Sequence, residues 1–95
     1  MAVGDVVNGL SSVSNGSYLD IVPGTGVEWV IHNIYWGNAV ECYFYDGTND
    51  VKFDSDTTYG GRIGAVFHCT ETKRIRIKNV SGLSQYIGYD GIQTK

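Results

Sequence analysis

Apolar and polar residues alternate along most of this chain with a period of two. Val40, Cys42 and Phe44 share one parity while Glu41, Tyr43 and Tyr45 take the other, the pattern of a strand with one face toward a core. The same alternation sets Val51 and Phe53 inward against Lys52 and Asp54, and it runs through Ile63, Ala65, Phe67 and Cys69. It is cleanest at Ile75 and Ile77, which point in between the outward Arg74, Arg76 and Lys78. Ser17 to Val22 and Gln85 to Gln93 supply the first and last strands of the set. No window carries a 3.6-residue apolar repeat, and thirteen glycines interrupt the chain, so no helix is expected.

Turn chemistry separates the runs. Pro23-Gly24-Thr25-Gly26, Gly37-Asn38, Asp46-Gly47-Thr48-Asn49-Asp50 and Glu71-Thr72-Lys73 are turn-forming stretches, and Asp54 to Gly61 and Asn79 to Ser84 read as longer loops. One run breaks its own parity. In Val27 to Trp36, Trp29 and Ile31 share a face, but Ile34 and Trp36 continue on the opposite parity. A phase change across His32-Asn33 predicts a β-bulge or a bend. The fold class that follows is all-β: an antiparallel, jelly-roll-like β-sandwich over residues 17–95, with seven strands, or eight if Val3 to Val7 pairs. Residues 1–16, rich in Ser, Asn and Gly, are expected to form an N-terminal arm, partly ordered at most.

Size makes the core thin. At 10.4 kDa, a folded surface of roughly 5,400 Å² against about 15,000 Å² unfolded buries only about two-thirds of the chain. Charged residues are 18% and aromatics 13%, with seven Tyr against three Phe. A Tyr-rich, charge-poor surface favours contacts with partners, because Tyr is apolar in its body and polar at its tip. The net charge of −3 argues against nucleic acid as a partner, since that needs a basic field. No apolar run is long enough to span a membrane, and Met1-Ala2-Val3-Gly4-Asp5 has no secretory character, so a product made in the cytoplasm is expected.

Chemistry is sparse. His68 and Cys69 lie on opposite phases of one strand, so they form no dyad, and His32 sits at the suspected bulge. No catalytic residue and no cofactor is expected. Cys42 and Cys69 fall on the apolar phase and read as buried free thiols, with a cross-strand bridge as the alternative. Asp46, Asn49 and Asp50 offer hard oxygen ligands but lack the EF-hand pattern, so they read as a plain turn and no metal site is assigned. The candidate interface residues are Tyr35, Trp36, Tyr43, Tyr45 and Tyr59, the basic stripe Arg74, Arg76 and Lys78, and the acidic Asp54 and Asp56. The stripe and the acidic stretch read either as charges that keep an edge from pairing or as complementary sides of neighbouring subunits. The exposed aromatics also admit a glycan.

Ser17-Tyr18-Leu19-Asp20-Ile21-Val22-Pro23-Gly24-Thr25-Gly26-Val27-Glu28-Trp29-Val30-Ile31-His32-Asn33-Ile34 resembles the front half of small tailed-phage virion proteins. So do Tyr43-Phe44-Tyr45-Asp46-Gly47-Thr48-Asn49, Ile75-Arg76-Ile77-Lys78-Asn79 and Tyr86-Ile87-Gly88-Tyr89-Asp90-Gly91. The members it is most similar to are β-sandwich proteins that decorate or cement capsids, commonly as trimers bridging capsomers. The resemblance implies a homotrimer, a major capsid protein or other virion protein as partner, and a place in the virion after synthesis in the host cytoplasm. Tail, spike and head-fibre modules share the same strand grammar, and a carbohydrate- or receptor-binding module is the alternative from another class.

Overall fold

The strands pair from the outside of the sequence inward. The computed structural model describes residues 2–95, with nine strands among them and every pairing antiparallel. β1 (Val6–Val13) pairs with β9 (Gln85–Gln93), and β2 (Tyr18–Asp20) pairs with β8 (Arg74–Asn79). β3 (Trp29–Trp36) pairs with β6 (Gly60–Arg62) and β7 (Phe67–Cys69), and β4 (Val40–Tyr45) forms a hairpin with β5 (Asp50–Asp56). This long antiparallel ribbon wraps so that β9 also meets β3 and β8 also meets β4. Two sheets result, ordered β1-β9-β3-β6 (with β7 on β3) and β2-β8-β4-β5. Taking β6 and β7 as one interrupted strand, that order is the jelly-roll form of a β-sandwich. Among the described residues there is no helix, hence none long and apolar enough to cross a membrane.

The core is built mainly from β-branched residues. Val7, Ile31, Ile34 and Ile87 from one sheet meet Val40, Ile75 and Ile77 from the other, with Ile21, Cys42 and Cys69 fully enclosed. Both cysteines are free thiols. Burial pushes the Cys42 thiol up to about 12 and raises that of Cys69, because a thiolate would lose its hydration there. Of the buried polar residues Asn79, Gln85 and Gln93, Asn79 is fully enclosed with them. Asn79 Nδ2 donates to the carbonyls of Val13 (2.8 Å) and Leu83 (2.6 Å), while its Oδ1 accepts from Ser81 N, Ser81 Oγ and Gln85 Nε2. A single amide thereby ties β1, β8, the loop after β8 and the start of β9.

Several expectations need correction. The predicted arm contains β1, whose eight residues pair without interruption along β9 and bury Val7 and Val13. Its alternation is hidden because Gly9 and Ser11 occupy inward positions, opposite Tyr89 and Ile87. The predicted strand Ile63 to Thr70 exists only as Phe67–Cys69, and the loop expected over Asp54 to Gly61 holds the end of β5 and the start of β6. Val51, Phe53 and Phe44, all on the inward phase, are 60%, 36% and 40% exposed. The β4–β5 hairpin overhangs the opposite sheet there, and a register shift between Cys42 and Tyr43 displaces the pairing.

Two tests follow. Asn79→Ala takes the amide donor from the buried Val13 carbonyl and leaves the Leu83 carbonyl and the Gln85 amide with one partner each, Ser81 Oγ and the Ala39 carbonyl; it should cost about 2–4 kcal/mol in chemical denaturation, and a loss below about 0.5 kcal/mol would contradict this role. Native protein at about pH 8 should resist a thiol-exchange reagent, with both thiols reacting only after unfolding. Because the folded Cys42 value lies above its ordinary 9.0, the associated stability is complete below pH 9 and is lost as pH rises toward about 12.

Candidate interaction surfaces

The outer face of the β2-β8-β4-β5 sheet carries the predicted basic stripe, and its charges are already partnered. Arg76 Nε donates to Asp20 Oδ1 at 2.7 Å and its Nη1 to Asp50 Oδ2 at 3.2 Å. Arg74 Nε reaches the same Asp20 oxygen at 3.2 Å, and its Nη1 donates to the Glu71 carbonyl. The guanidinium of Arg76 lies 4.0 Å from the Tyr18 ring centroid, and that of Arg74 lies 4.9 Å from Tyr45. Lys78 Nζ stands 5.7 Å from Tyr18, and Tyr43 meets Tyr18 edge-on at 5.8 Å. Tyr43 donates to Glu41 at 2.6 Å, which holds its phenol up at about 12 and lowers the Glu41 carboxyl. This face is a lattice of ion pairs and cation–π contacts. Strand alternation puts these side chains together, since the rows Asp20–Arg76–Tyr43 and Arg74–Tyr45–Asp50 lie directly across the sheet.

The acidic residues are partnered within the chain as well. Asp54 pairs with Arg62 at 3.4 Å, and Asp56 accepts from Trp36 Nε1 at 3.1 Å. Trp36, expected among the interface aromatics, is 6% exposed and belongs to the core. Its indole is inward because β3 changes phase before it. With Asp50 on Arg76 and Asp54 on Arg62, acidic and basic groups neutralise one another inside one subunit. Tyr59 is 75% exposed beside β6. Asp46 uses its Oδ1 to accept from the amides of Thr48 and Asn49, which pulls its carboxyl down and makes it a turn former.

Apolar exposure is concentrated elsewhere. Along this hairpin Phe44 and Val51 are exposed, and Phe53, also exposed, meets Phe67 at 5.6 Å between ring centroids. Ile63 and Val66 in the neighbouring connection are also exposed. This flank is an inward-facing surface without its cover.

The outer face of the β1-β9-β3 sheet is organised in rows by register. Asn8, Asp90 and Asn33 form a polar row across the three strands. Val6, Ile92 and Val30 lie on one side of it, and Leu10, Gly88 and Tyr35 on the other. Asn33 Nδ2 donates to Asp90 Oδ1 and Tyr35 Oη to Asp90 Oδ2, both at 2.7 Å. Asn33 Oδ1 accepts from Gly64 N at 2.9 Å. The bond to Asp90 raises the Tyr35 phenol. Gly88 lets β1 and the Leu10 side chain approach closely: a Cβ there would lie 2.8 Å from the Gly9 carbonyl oxygen and 2.9 Å from Leu10 Cδ1. An open depression of about 850 Å³ lies over these strands. Of the expected interface residues only Tyr35 lines it. Asn8, Leu10, Asn33 and Asp90 were missed, although Val6, Asn8, Leu10 and Ser12 share one parity and Asn33 and Tyr35 share another.

His32 and His68 stand apart from the thiols. His32 Nδ1 donates to the Ala65 carbonyl at 3.1 Å, and His68 is exposed on the face opposite buried Cys69. No protein-family model matches the chain, and no curated protein matches its sequence.

The lattice yields a prediction. Asp20→Ala removes the carboxylate shared by Arg74 and Arg76. Because these side chains keep 21–31% of their surface in water, the loss should be modest, about 1 kcal/mol, and smaller in molar salt. Equal stability of the two proteins at low salt would show that the lattice contributes nothing.

Proposed function

We propose that this chain is a non-enzymatic virion structural protein of the capsid decoration or cement kind, acting through protein–protein contacts. The observation that carries this reading is the uncovered flank formed by Phe44, Val51 and Phe53, three residues in core phase that stand 36–60% exposed. A lone subunit gains nothing from leaving that area in water, whereas covering the exposed part of each against a neighbour gives about 1 kcal/mol per side chain. A flank seated on a different patch of the next copy is a heterologous contact, which forms a ring such as the proposed trimer where the rotation between copies is one third of a turn. Repetition of modest contacts over a capsid lattice then gives firm attachment. The jelly-roll sandwich supports the reading at the level of fold alone, since that architecture serves viral capsid proteins and lectins alike.

The test uses Val51→Asp and Ile63→Asp, which alter exposed side chains and leave the core intact. Wild-type protein should have the native mass of a trimer and co-sediment with purified particles. The double variant should fold as a monomer by circular dichroism and lose particle binding by on the order of a hundredfold. Absence of the protein from purified particles, or unimpaired binding of the folded variant, overturns the proposal. Binding to tails with none to capsids would move the protein to the tail.

A further inference from the structure

The depression on the β1-β9-β3 face meets the flank only at the 63–66 connection and has a chemistry of its own. Among the described outward positions of these strands, Asp90 is the one formally charged group, and none of the ion pairs includes it. Its carboxylate is fixed instead by two neutral donors, Asn33 and Tyr35. A carboxylate has about four acceptor sites, so each oxygen retains capacity after these bonds. Asn33 keeps one N–H, the Tyr35 oxygen can still accept, and the exposed Asn8 amide stands directly across from Asp90. Acceptor and donor groups therefore alternate along a short line, held in place before any ligand arrives.

Apolar rows bound that line on both sides. Exposed Leu10 and Tyr35 stand on either side of Gly88, and Val6 with Ile92 borders the opposite side. A ligand fitting this pattern has hydroxyls that both donate and accept along one edge, and C–H faces that lie on apolar walls. Phosphate, sulfate and carboxylate ligands are disfavoured, because no Lys or Arg stands at the described outward positions and the fixed charge is negative. The volume of about 850 Å³ lies within the usual range for small-ligand sites, and its floor is rigid sheet rather than loop.

We propose that this depression binds a neutral saccharide, with Asp90, Asn33 and Asn8 hydrogen-bonding vicinal hydroxyls and Leu10 and Tyr35 packing against the ring. Dissociation constants are expected in the millimolar range for a single sugar, as a shallow site with few polar contacts dictates. The proposal does not depend on the protein's place in a particle.

The experiment is an NMR titration of the ¹⁵N-labelled full chain with methyl glycosides of glucose, galactose, mannose and N-acetylglucosamine, each to about 50 mM, well above a millimolar dissociation constant. The expected result is a saturable shift for at least one glycoside, confined to amides of β1, β9 and the Asn33–Tyr35 part of β3. Asp90→Ala should abolish it. Asn8→Ala, which changes an exposed side chain and leaves the fold intact, should weaken it several-fold, the loss of one hydrogen bond. No saturable shift with any of the four overturns the proposal. So does a stronger response of the same amides to butylammonium, which would mark a cation site, or an unchanged response in both variants.

Discussion

One extra residue in β3 governs both sides of the larger sheet. Across the bulge at His32 the pairing with β9 shifts from Ile31↔Gly91 to Asn33↔Asp90, so Ile31 and Ile34 both face the core despite opposite parity. Without that shift, Ile34 and Trp36 would turn to solvent and the inner layer would lose half of its β3 side chains, keeping only Trp29 and Ile31. The bulge also crowds the neighbouring strand. A Cβ at position 91 would lie 2.0 Å from the Val30 carbonyl oxygen, a separation that only glycine tolerates. On the far side, two residues of β3 lie opposite four of its partner, since Ile31 pairs with Phe67 and Ile34 with Arg62. The excess loops out and divides β6 from β7. His32 ties the loop back, its carbonyl accepting from Ala65 N at 2.8 Å and its imidazole donating to the Ala65 carbonyl. The same displacement brings Asn33 beside Asp90. Core phase, strand interruption and polar row are thus three consequences of one insertion.

The wrapped ribbon imposes a second constraint. Sheets of four and five strands enclose a layer of mostly Val, Ile and Cys, and the exposed area of 5175 Å² is close to what size alone dictates. Such a layer leaves little room for buried polar groups that lack partners. Asn79 is tolerated because each of its hydrogen-bonding atoms is engaged. It secures the β1 end of the wrap, where small residues supply few apolar contacts.

Legibility in the sequence followed the strength of the alternation. The β8 strand, the Asp46 turn, the two buried thiols and the phase change at His32 could all be read, because each has a local physical signature. β1 could not, since Gly9 and Ser11 stand where apolar residues would announce an inward face, and Tyr89 and Ile87 fill that space from across the strand pair. The exposure of Val51 and Phe53 was equally hidden: parity says which face a residue takes, but only the extent of the opposite sheet says whether that face is covered. Asp90 and Asn8 lie more than eighty positions apart, and their pairing is a property of the closed ribbon rather than of either segment. The Arg–Asp–Tyr lattice was half visible. Its outward cations were plain in the alternation, whereas Asp20 as their common partner depends on β2 pairing with β8.

The distribution of charge separates the surfaces by the work each is suited to. Ion pairs and cation–π contacts on the β2-β8-β4-β5 face satisfy its charged groups internally, so a partner docking there would have to break bonds before making any. The flank is the reverse case: its apolar groups keep a large share of their surface in water, and any well-fitting neighbour improves their surroundings. The depression lies between these extremes, with polar atoms fixed by internal bonds yet holding capacity in reserve. A macromolecular partner is therefore best matched to the flank and a small hydroxylated ligand to the depression.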